Sequence, residues 1–186
     1  KRKSVISYFD GSSKNRQTVT KITTDSMAVV AETLYDFDGR PVVATLPSPA
    51  FNKAIKHFDL YNKNLIGQAY TWQNLYSNGG CNPVPEMMDT SSGSSKYYSP
   101  ANPKKALSFH QFIPDAQGYP FSQTMYTNDL TNRVKISAGP GGEHHIRDSA
   151  ARVTQYFYSG AEKSELTRLF GPEVGDYTHY FKNEVI

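Results

Sequence analysis

The heptapeptide Tyr35-Asp36-Phe37-Asp38-Gly39-Arg40-Pro41 contains a strong signal for a β-hairpin in this chain of 186 residues. It separates two β-rich runs, residues 27–36 and residues 41–46. Glycine adopts a positive φ without a steric penalty, so an Asp-Gly pair between two such runs is a strong signal for a β-hairpin turn. The sequence therefore predicts a strand, a turn centred on Asp38 and Gly39, and a returning strand.

The same succession of strands and turns extends over residues 1–75. Val5-Ile6-Ser7-Tyr8-Phe9 runs into Asp10-Gly11, and residues 17–22 alternate with the period of two that is typical of a half-buried strand. We expect this first region to be built from antiparallel β-hairpins.

A polar segment interrupts the strands over residues 76–105. It is rich in Gly, Ser, Pro and Asn and contains Ser77-Asn78-Gly79-Gly80 and Thr90-Ser91-Ser92-Gly93-Ser94-Ser95. Such a composition buries too little apolar surface to offset the entropy of ordering the chain. The sequence predicts a long, loosely ordered surface loop here, tolerated as an insertion.

Strands resume in the third region, residues 106–186. Residues 122–126, 133–137 and 152–158 are rich in β-branched and aromatic side chains. The expected fold class is mainly β, an antiparallel strip of hairpins with one short helix.

The helix is predicted near residues 161–170. Ser159 followed by Glu162 fits a capping box, and Gly171-Pro172 is a helix stop. Three apolar residues lie at helical spacing and predict one stripe that docks on the sheet: Leu166, Leu169 and Phe170.

Composition narrows the classes of function. Lys plus Arg number 20 against 17 for Asp plus Glu, a near balance that argues against a nucleic-acid partner. With 13 Tyr, 10 Phe and 1 Trp, aromatic rings must supply much of the core. The longest apolar run, residues 27–31, is too short for a transmembrane helix, so we expect no direct membrane insertion.

The turns share a degenerate repeat whose period exceeds about twenty residues, which is typical of stacked supersecondary units. Its copies are Tyr8-Phe9-Asp10-Gly11, Tyr35 to Arg40, Phe58-Asp59-Leu60-Tyr61-Asn62, a copy around Asp115 and Gly118, and Tyr126 to Val134. We expect the aromatic residue to pack on the sheet, Asp or Asn to cap the turn, glycine to take the positive φ, and arginine to reach the carboxylate. The residues with these structural roles are Tyr8, Asp10, Gly11, Tyr35, Asp36, Gly39, Arg40, Asp115, Gly118, Tyr126 and Arg133.

These strings resemble the YD repeats of Rhs-family proteins, in particular the large Rhs proteins of Bacteroidota. Tyr35-Asp36-Phe37-Asp38-Gly39-Arg40 is the best single match, and Arg168-Leu169-Phe170-Gly171-Pro172-Glu173-Val174-Gly175 also resembles them. The pattern departs in three places: Lys14 or Arg16 is displaced after the first turn, Tyr119 replaces an arginine, and the unit at residues 58–62 lacks a glycine.

The resemblance implies part of a larger β-shell, built from hairpins, that encloses or presents a C-terminal toxin or effector. The implied partners are the remainder of the parent chain, its enclosed toxin domain and a secretion translocon of the type IX machinery. The implied location is extracellular, secreted or on the cell surface.

Candidate chemical groups are few. Glu143-His144-His145 offers two imidazoles, but neighbouring residues on a strand face opposite sides and ligate one ion poorly. Gly139-Pro140-Gly141-Gly142 lacks the Lys-Ser/Thr of a phosphate loop and predicts a turn. Cys81 would need a histidine such as His57 or His110 to act as a nucleophile. We expect no catalytic, cofactor-binding or metal-binding residue, no cofactor and no enzyme activity.

Two other classes of function stay open at this point. A glycan-binding β module of a surface protein would use exposed aromatic residues such as Tyr70 and Trp72 as stacking platforms. A cysteine or metal hydrolase would need a convergent pocket. A groove of exposed aromatics would favour the first, and a cluster of His, Cys and acidic side chains the second.

Overall fold

The computed structural model describes residues 2–22, 27–76, 84–147 and 152–186. The described residues form nine strands: β1 (Lys3–Phe9), β2 (Asn15–Ile22), β3 (Val29–Tyr35), β4 (Pro41–Thr45), β5 (Ser48–Pro49), β6 (Phe121–Tyr126), β7 (Val134–Ala138), β8 (Thr154–Gly160) and β9 (Phe181–Val185). The strand order is β1-β2-β3-β4-β6-β7-β8-β9, with β5 paired to β3. The prediction of a mainly β, antiparallel chain is confirmed.

Helices are short. The two α-helices of the described chain are α1 (Gly93–Tyr97) and α2 (Lys163–Phe170), and 3-10 turns span Trp72–Tyr76, Ser108–Phe112, Pro172–Val174 and Tyr177–His179. Helix α2 is the one predicted near residues 161–170, and Gly171 ends it with a φ of 86°.

The predicted capping of α2 is wrong by one turn. Ser159 belongs to β8, and the N-cap is Glu162, whose backbone N–H donates to Glu165 at 3.2 Å. The apolar stripe is also only partly buried, since Leu166 is 5% exposed whereas Leu169 and Phe170 are 74% and 66% exposed.

The chain divides into two compact units. One comprises Lys1–Thr124 and Ala138–Val153, and the other comprises Met125–Ser137 and Thr154–Ile186. The first unit holds strands β1 to β5 and helix α1, and the second holds β8, β9 and α2.

The core of the first unit follows from strand alternation. On β2, Gln17 and Val19 are buried while their neighbours are half-buried, and Val19 is in register with Val30 of β3. Ala28 completes this cluster, which is sealed by partly buried side chains: Tyr8, Ala50, Ile55, Phe58 and Tyr61. Aromatic rings thus supply much of this core.

Residues 84–105 differ from the expected surface loop. Met88, Ser94 and Ser95 are each at most 1% exposed. The Ser94 hydroxyl lies 2.9 Å from the Ser48 hydroxyl and donates to the Leu46 carbonyl. A polar segment can be buried when its groups find hydrogen-bond partners, and here the neighbouring strand segment supplies them. Residues 77–83 of the predicted loop, including Ser77-Asn78-Gly79-Gly80 and Cys81, lie outside the described residues.

Candidate functional site

The turn after β3 forms a compact ionic cluster. The Asp36 N–H donates to the Arg40 carbonyl at 2.9 Å, and the Gly39 N–H donates to the Asp36 carbonyl at 3.0 Å. The Asp36 carboxylate accepts from the Arg40 backbone N–H and side chain at 2.8 and 2.7 Å, and Asp38 also pairs with Arg40. Gly39 has a φ of 75°, so the turn uses glycine as predicted for this position.

The turn after β1 has the same backbone hydrogen bonds, since the Asp10 N–H donates to the Lys14 carbonyl and the Ser13 N–H to the Asp10 carbonyl, both at 3.0 Å. Asp10 accepts from the N–H and hydroxyl of Ser12 at 2.8 and 2.7 Å, from the Lys14 N–H at 3.1 Å and from Arg16. Gly11 does not take the positive φ expected of it, because Ser13 adopts it with a φ of 60°. The displaced Arg16 still reaches the turn carboxylate.

The turn between β6 and β7 has no glycine. The Thr127 N–H donates to the Arg133 carbonyl at 2.9 Å, and Asp129 pairs with Arg133 at 2.7 Å. The positive φ values fall on Leu130 and Asn132, at 61° and 57°. Tyr126, the last residue of β6, precedes this turn and is half-buried.

A further turn of the same kind escaped the sequence analysis. It lies at residues 64–68, shortly after the predicted copy at 58–62, and it contains a glycine, Gly67, with a φ of 81°. The Asn64 N–H donates to the Gln68 carbonyl at 2.9 Å, and the Asn64 side chain accepts from the Gln68 N–H at 2.9 Å. The hydrogen bonds match those of Asp36 and Arg40, with neutral amides in place of the ion pair. Asn64 and Gly67, three residues apart like Asp36 and Gly39, are the signal that could have located it.

The turn at Asp115 is of another type. Asp115 accepts from the Gln117 N–H at 2.8 Å, and Gly118 has a φ of 85°. The Gly118 carbonyl accepts from the Met88 N–H at 2.9 Å, so this turn supports the buried segment 84–105.

Basic residues at the turns lie over tyrosine rings of the following strand. In the first unit, the Arg16 guanidinium and the Lys14 ammonium lie 4.8 and 5.2 Å from the centre of the Tyr35 ring. The Tyr35 hydroxyl donates to the Asn15 carbonyl at 3.1 Å. This contact adds a cation–π attraction to the strand ladder.

The second unit repeats that arrangement. The Arg133 guanidinium lies 4.5 Å from the centre of the Tyr158 ring, and the Tyr158 hydroxyl donates to the Val134 carbonyl at 2.9 Å. Tyr158 was not among the predicted turn residues, although the strand that contains it was predicted at residues 152–158. In each unit, therefore, one arginine joins a turn carboxylate to the ring of the next strand.

These hydrogen bonds shift the acidity of the turn carboxyls. The Ser12 hydroxyl, followed by the Lys14 N–H, holds the pKa of Asp10 below its usual range. The hydroxyls of Thr127 and Thr131, and then Arg133, do the same for the pKa of Asp129. Both carboxyls are thus ionised acceptors at neutral pH, which is suited to ordering a turn and unsuited to proton transfer.

A cleft of about 280 Å³ in the first unit is a candidate for a ligand site, because it contains a buried carboxyl. Glu32 lies in its wall together with Gln17 and Asn62, and aromatic and ionisable side chains complete it: Arg16, His57, Phe58, Asp59, Tyr61 and Tyr70. Such a mixture of apolar walls and a few polar groups is common in binding pockets.

The amides beside Glu32 have fixed orientations. Gln17 accepts from the Phe58 N–H at 2.8 Å and donates to the Phe58 carbonyl at 3.0 Å, so its nitrogen faces Glu32 at 2.7 Å. Asn62 accepts from the Ser94 N–H at 2.9 Å, so its nitrogen faces the other Glu32 oxygen at 2.7 Å. Both carboxyl oxygens of Glu32 therefore accept from amide donors.

Burial raises the pKa of Glu32, against the opposing effect of the Gln17 and Asn62 donors. A raised carboxyl pKa in a cleft is a property of many general acids. Here, however, the carboxyl ties β3 to β2 through Gln17 and to the segments around residues 62 and 94 through Asn62. Both oxygens of the Glu32 carboxyl are therefore used in hydrogen bonds that join segments of the chain.

The residues considered for a glycan platform do not form one exposed surface. Tyr70 is 4% exposed, and its hydroxyl donates to the Glu86 carbonyl. Trp72 is half-buried with its ring edge-on to Tyr76, 6.0 Å between ring centres.

The two neighbouring histidines, His144 and His145, lie in different environments. The His145 ring stacks on Tyr119 with 3.9 Å between ring centres, whereas His144 is exposed. The N–H groups of both histidines donate to the Gly141 carbonyl, so the glycine-rich stretch is a turn. Over the described parts of the chain, no group of three or more His, Cys, Asp or Glu side chains is placed to hold a metal ion.

None of the described helices is long and apolar enough to cross a membrane. Comparison with known proteins gives no match to a family model and no match to a curated protein.

Proposed function

We propose that this chain is a non-catalytic structural segment of a secreted or cell-surface Rhs-type repeat protein. In this role its hairpins form part of a β-shell that encloses or presents a C-terminal toxin or effector. The observation that carries the proposal is the recurring turn in which an aspartate binds an arginine and that arginine covers the tyrosine of the next strand, at Asp10, Arg16 and Tyr35 and again at Asp129, Arg133 and Tyr158.

The ionisable groups support a structural role because they are used to join segments of the chain. The carboxylates of Asp10, Asp36 and Asp129 accept from turn N–H groups or hydroxyls and pair with arginines. A catalytic acid or base needs a proton-transfer position facing substrate, and these groups are directed toward their own turns. Repetition of one ionic device in successive hairpins is what a scaffold requires.

The partners and location follow from the resemblance of the repeat strings to the Rhs family. The partners proposed are the remainder of the parent chain, its enclosed toxin domain and a secretion translocon of the type IX kind found in Bacteroidota. The location proposed is extracellular. A glycan-binding module receives less support, because Tyr70 is buried and Trp72 packs against Tyr76.

Mass spectrometry of the native protein tests this proposal. The expected result is that peptides of this segment, recovered outside the cell, come from a much longer polypeptide. Limited proteolysis of that polypeptide should leave a C-terminal domain protected while the shell is intact. A native product consisting of these 186 residues alone would contradict the proposal.

A further inference from the structure

Strand β1 has one ladder partner among the described strands, β2, so its other side is an edge. Alternate residues of a strand direct their N–H and C=O groups away from a single antiparallel partner. The edge is also apolar, with Val5, Ile6 and Phe9 exposed at 51%, 40% and 62%. Exposed backbone groups together with apolar side chains form a surface suited to a further strand.

Phe9 and Tyr35 hold equivalent positions. Each is the last residue of a strand and precedes an aspartate whose N–H closes a turn, Asp10 to the Lys14 carbonyl and Asp36 to the Arg40 carbonyl. Each also lies at a register shift of its ladder.

The two rings lie on the same face of the sheet. Ile6 is in register with Val19, and Val19 with Val30, which defines the core face of the three strands. Since side chains alternate along a strand, Phe9 and Tyr35 both lie on the opposite face.

What differs is the covering of the rings. Arg16 of the neighbouring strand β2 and Lys14 of the turn before it lie over the Tyr35 ring. Phe9 remains 62% exposed and has no such strand beside it among the described residues. Because Phe9 and Tyr35 hold equivalent positions, a strand that carries a cation, as β2 does, would fit against β1.

We propose that the outer edge of β1 binds an antiparallel strand of the same repeat type, whose preceding turn closes on a lysine or arginine that covers the Phe9 ring. The bound strand continues the ladder, and the cation takes the place over Phe9 that Arg16 takes over Tyr35. This proposal rests on the structural role proposed above and specifies the recognition chemistry of one edge.

The probe is a synthetic peptide of residues 10–22, which carries the first turn and β2 and therefore the cations that cover Tyr35. Its binding to the whole 186-residue chain is measured by fluorescence anisotropy, and hydrogen exchange of the β1 amides reports the place of binding. A second peptide replaces Lys14 and Arg16 with Gln. The protein variants are Phe9→Ser and, as a matched control, Phe37→Ser, since Phe37 is 88% exposed but lies on a turn.

The proposal expects saturable binding that protects β1. Phe9→Ser should weaken it roughly fivefold to tenfold, as for loss of an exposed cation–π contact together with burial of the ring, and Phe37→Ser should leave it unchanged. The uncharged peptide should bind the native chain more weakly than the charged peptide does, but less weakly than the charged peptide binds Phe9→Ser, because the Phe9 ring is still buried without the cation. Circular dichroism checks that both variants keep their β structure.

Each of these results would overturn the proposal: no saturable binding, equal binding to Phe9→Ser and Phe37→Ser, or equal binding of the two peptides. The proposal would also be overturned if the β1 edge binds only a second copy of the chain. In that case the peptide will not lower the average mass of the self-associated protein. The peptide-binding results do not depend on the mass of the native polypeptide, which tests the structural role. The proposed binding at β1 can therefore fail while the structural role stands, and the structural role can fail while the binding is observed.

Discussion

Gly11 and Gly39 occupy matching places in the sequence repeat but different places in the backbone. Gly39 has a φ of 75°, whereas in the first turn the positive φ falls on Ser13. An Asp-Gly pair thus predicts that a turn occurs and does not determine which residue bears its left-handed backbone. Both turns span five residues, 10–14 and 36–40, and in both the positive φ falls on the fourth residue, whichever residue stands there.

Gly39→Val should destabilise the fold by roughly 1–3 kcal/mol, because a β-branched residue is forced into a positive φ. A Cβ at Gly39 would also lie 2.5 Å from the Lys14 Nζ, which must move. Gly11→Val is the control, since a Cβ there meets nothing within 4 Å. Urea unfolding of both variants makes the comparison, and equal losses would show that the two turns are not as described.

Asp10→Asn should lower stability at pH 7 and lose much of that effect at pH 2.5. The folded-state pKa of Asp10 is held below its usual value, so the carboxylate stabilises the fold above pH about 4 and this contribution is lost as the pH falls. Asparagine keeps the turn acceptor but removes the ion pair with Arg16. A difference in urea midpoint that is the same at both pH values would contradict this account.

The contribution of Glu32 to stability changes with pH in the opposite direction to that of Asp10. Because burial raises its folded-state pKa, its contribution to stability falls as the pH rises above the unfolded value of about 4.3. Glu32→Gln should nevertheless not raise the free energy of unfolding. The new amide nitrogen must face the nitrogen of either Gln17 or Asn62, leaving a donor without an acceptor at a cost of about 1–3 kcal/mol.

The double variant Glu32→Gln, Asn62→Asp should recover most of that loss. The aspartate would accept both from Ser94 and from the new amide, while the new carbonyl would accept from Gln17. A double-mutant cycle measured by chemical unfolding gives the coupling. Additive losses would show that the orientations of the two amides are not fixed as described.

At the scale of elements, the hairpins were predictable and the buried polar segment was not. The strands β1 to β4 and their turns depend on local patterns, namely alternation and Asp-Gly pairs. The burial of Ser94 depends on acceptors at Leu46 and Ser48, far away in sequence. Composition alone, which counts only apolar area, therefore placed residues 84–105 on the surface.

The missed turn at residues 64–68 and the shifted cap of α2 have a different cause. Asn64 accepts the same backbone hydrogen bond as an aspartate, but no aromatic-aspartate pair marks this turn in the sequence. In α2 the capping pair Glu162 and Glu165 is local, but Ser159 offers a competing start that only the pairing of β8 with β9 excludes.

Gly93→Ala tests the buried polar segment. With a φ of 53°, an added Cβ would meet the Asn62 side chain and the Tyr61 carbonyl in close contact, so we expect a loss of at least about 2–3 kcal/mol. Gly67→Ala is the matched control: its φ is 81°, but a Cβ there meets nothing within 4 Å. Thermal unfolding of both variants separates steric contact from backbone strain. Similar losses would mean that residues 84–105 are not packed against Asn62.

At the scale of the whole molecule, the strand order of the described residues ends at β1 on one side and at β9 on the other. Both carry exposed apolar residues, including Val5, Phe9, Phe181 and Val185. A net charge of +3 opposes association only weakly. Open apolar edges of this kind promote edge-to-edge pairing.

Multi-angle light scattering on the 186-residue chain, over a wide range of concentration, tests whether these hairpins are a segment of a longer strip. We predict an average mass that rises with concentration. The double variant Val5→Lys, Val185→Lys, with charged edges, should stay monomeric and keep its β circular dichroism. A native chain that is monomeric at every concentration and melts cooperatively would contradict the account, because it would be a self-contained domain.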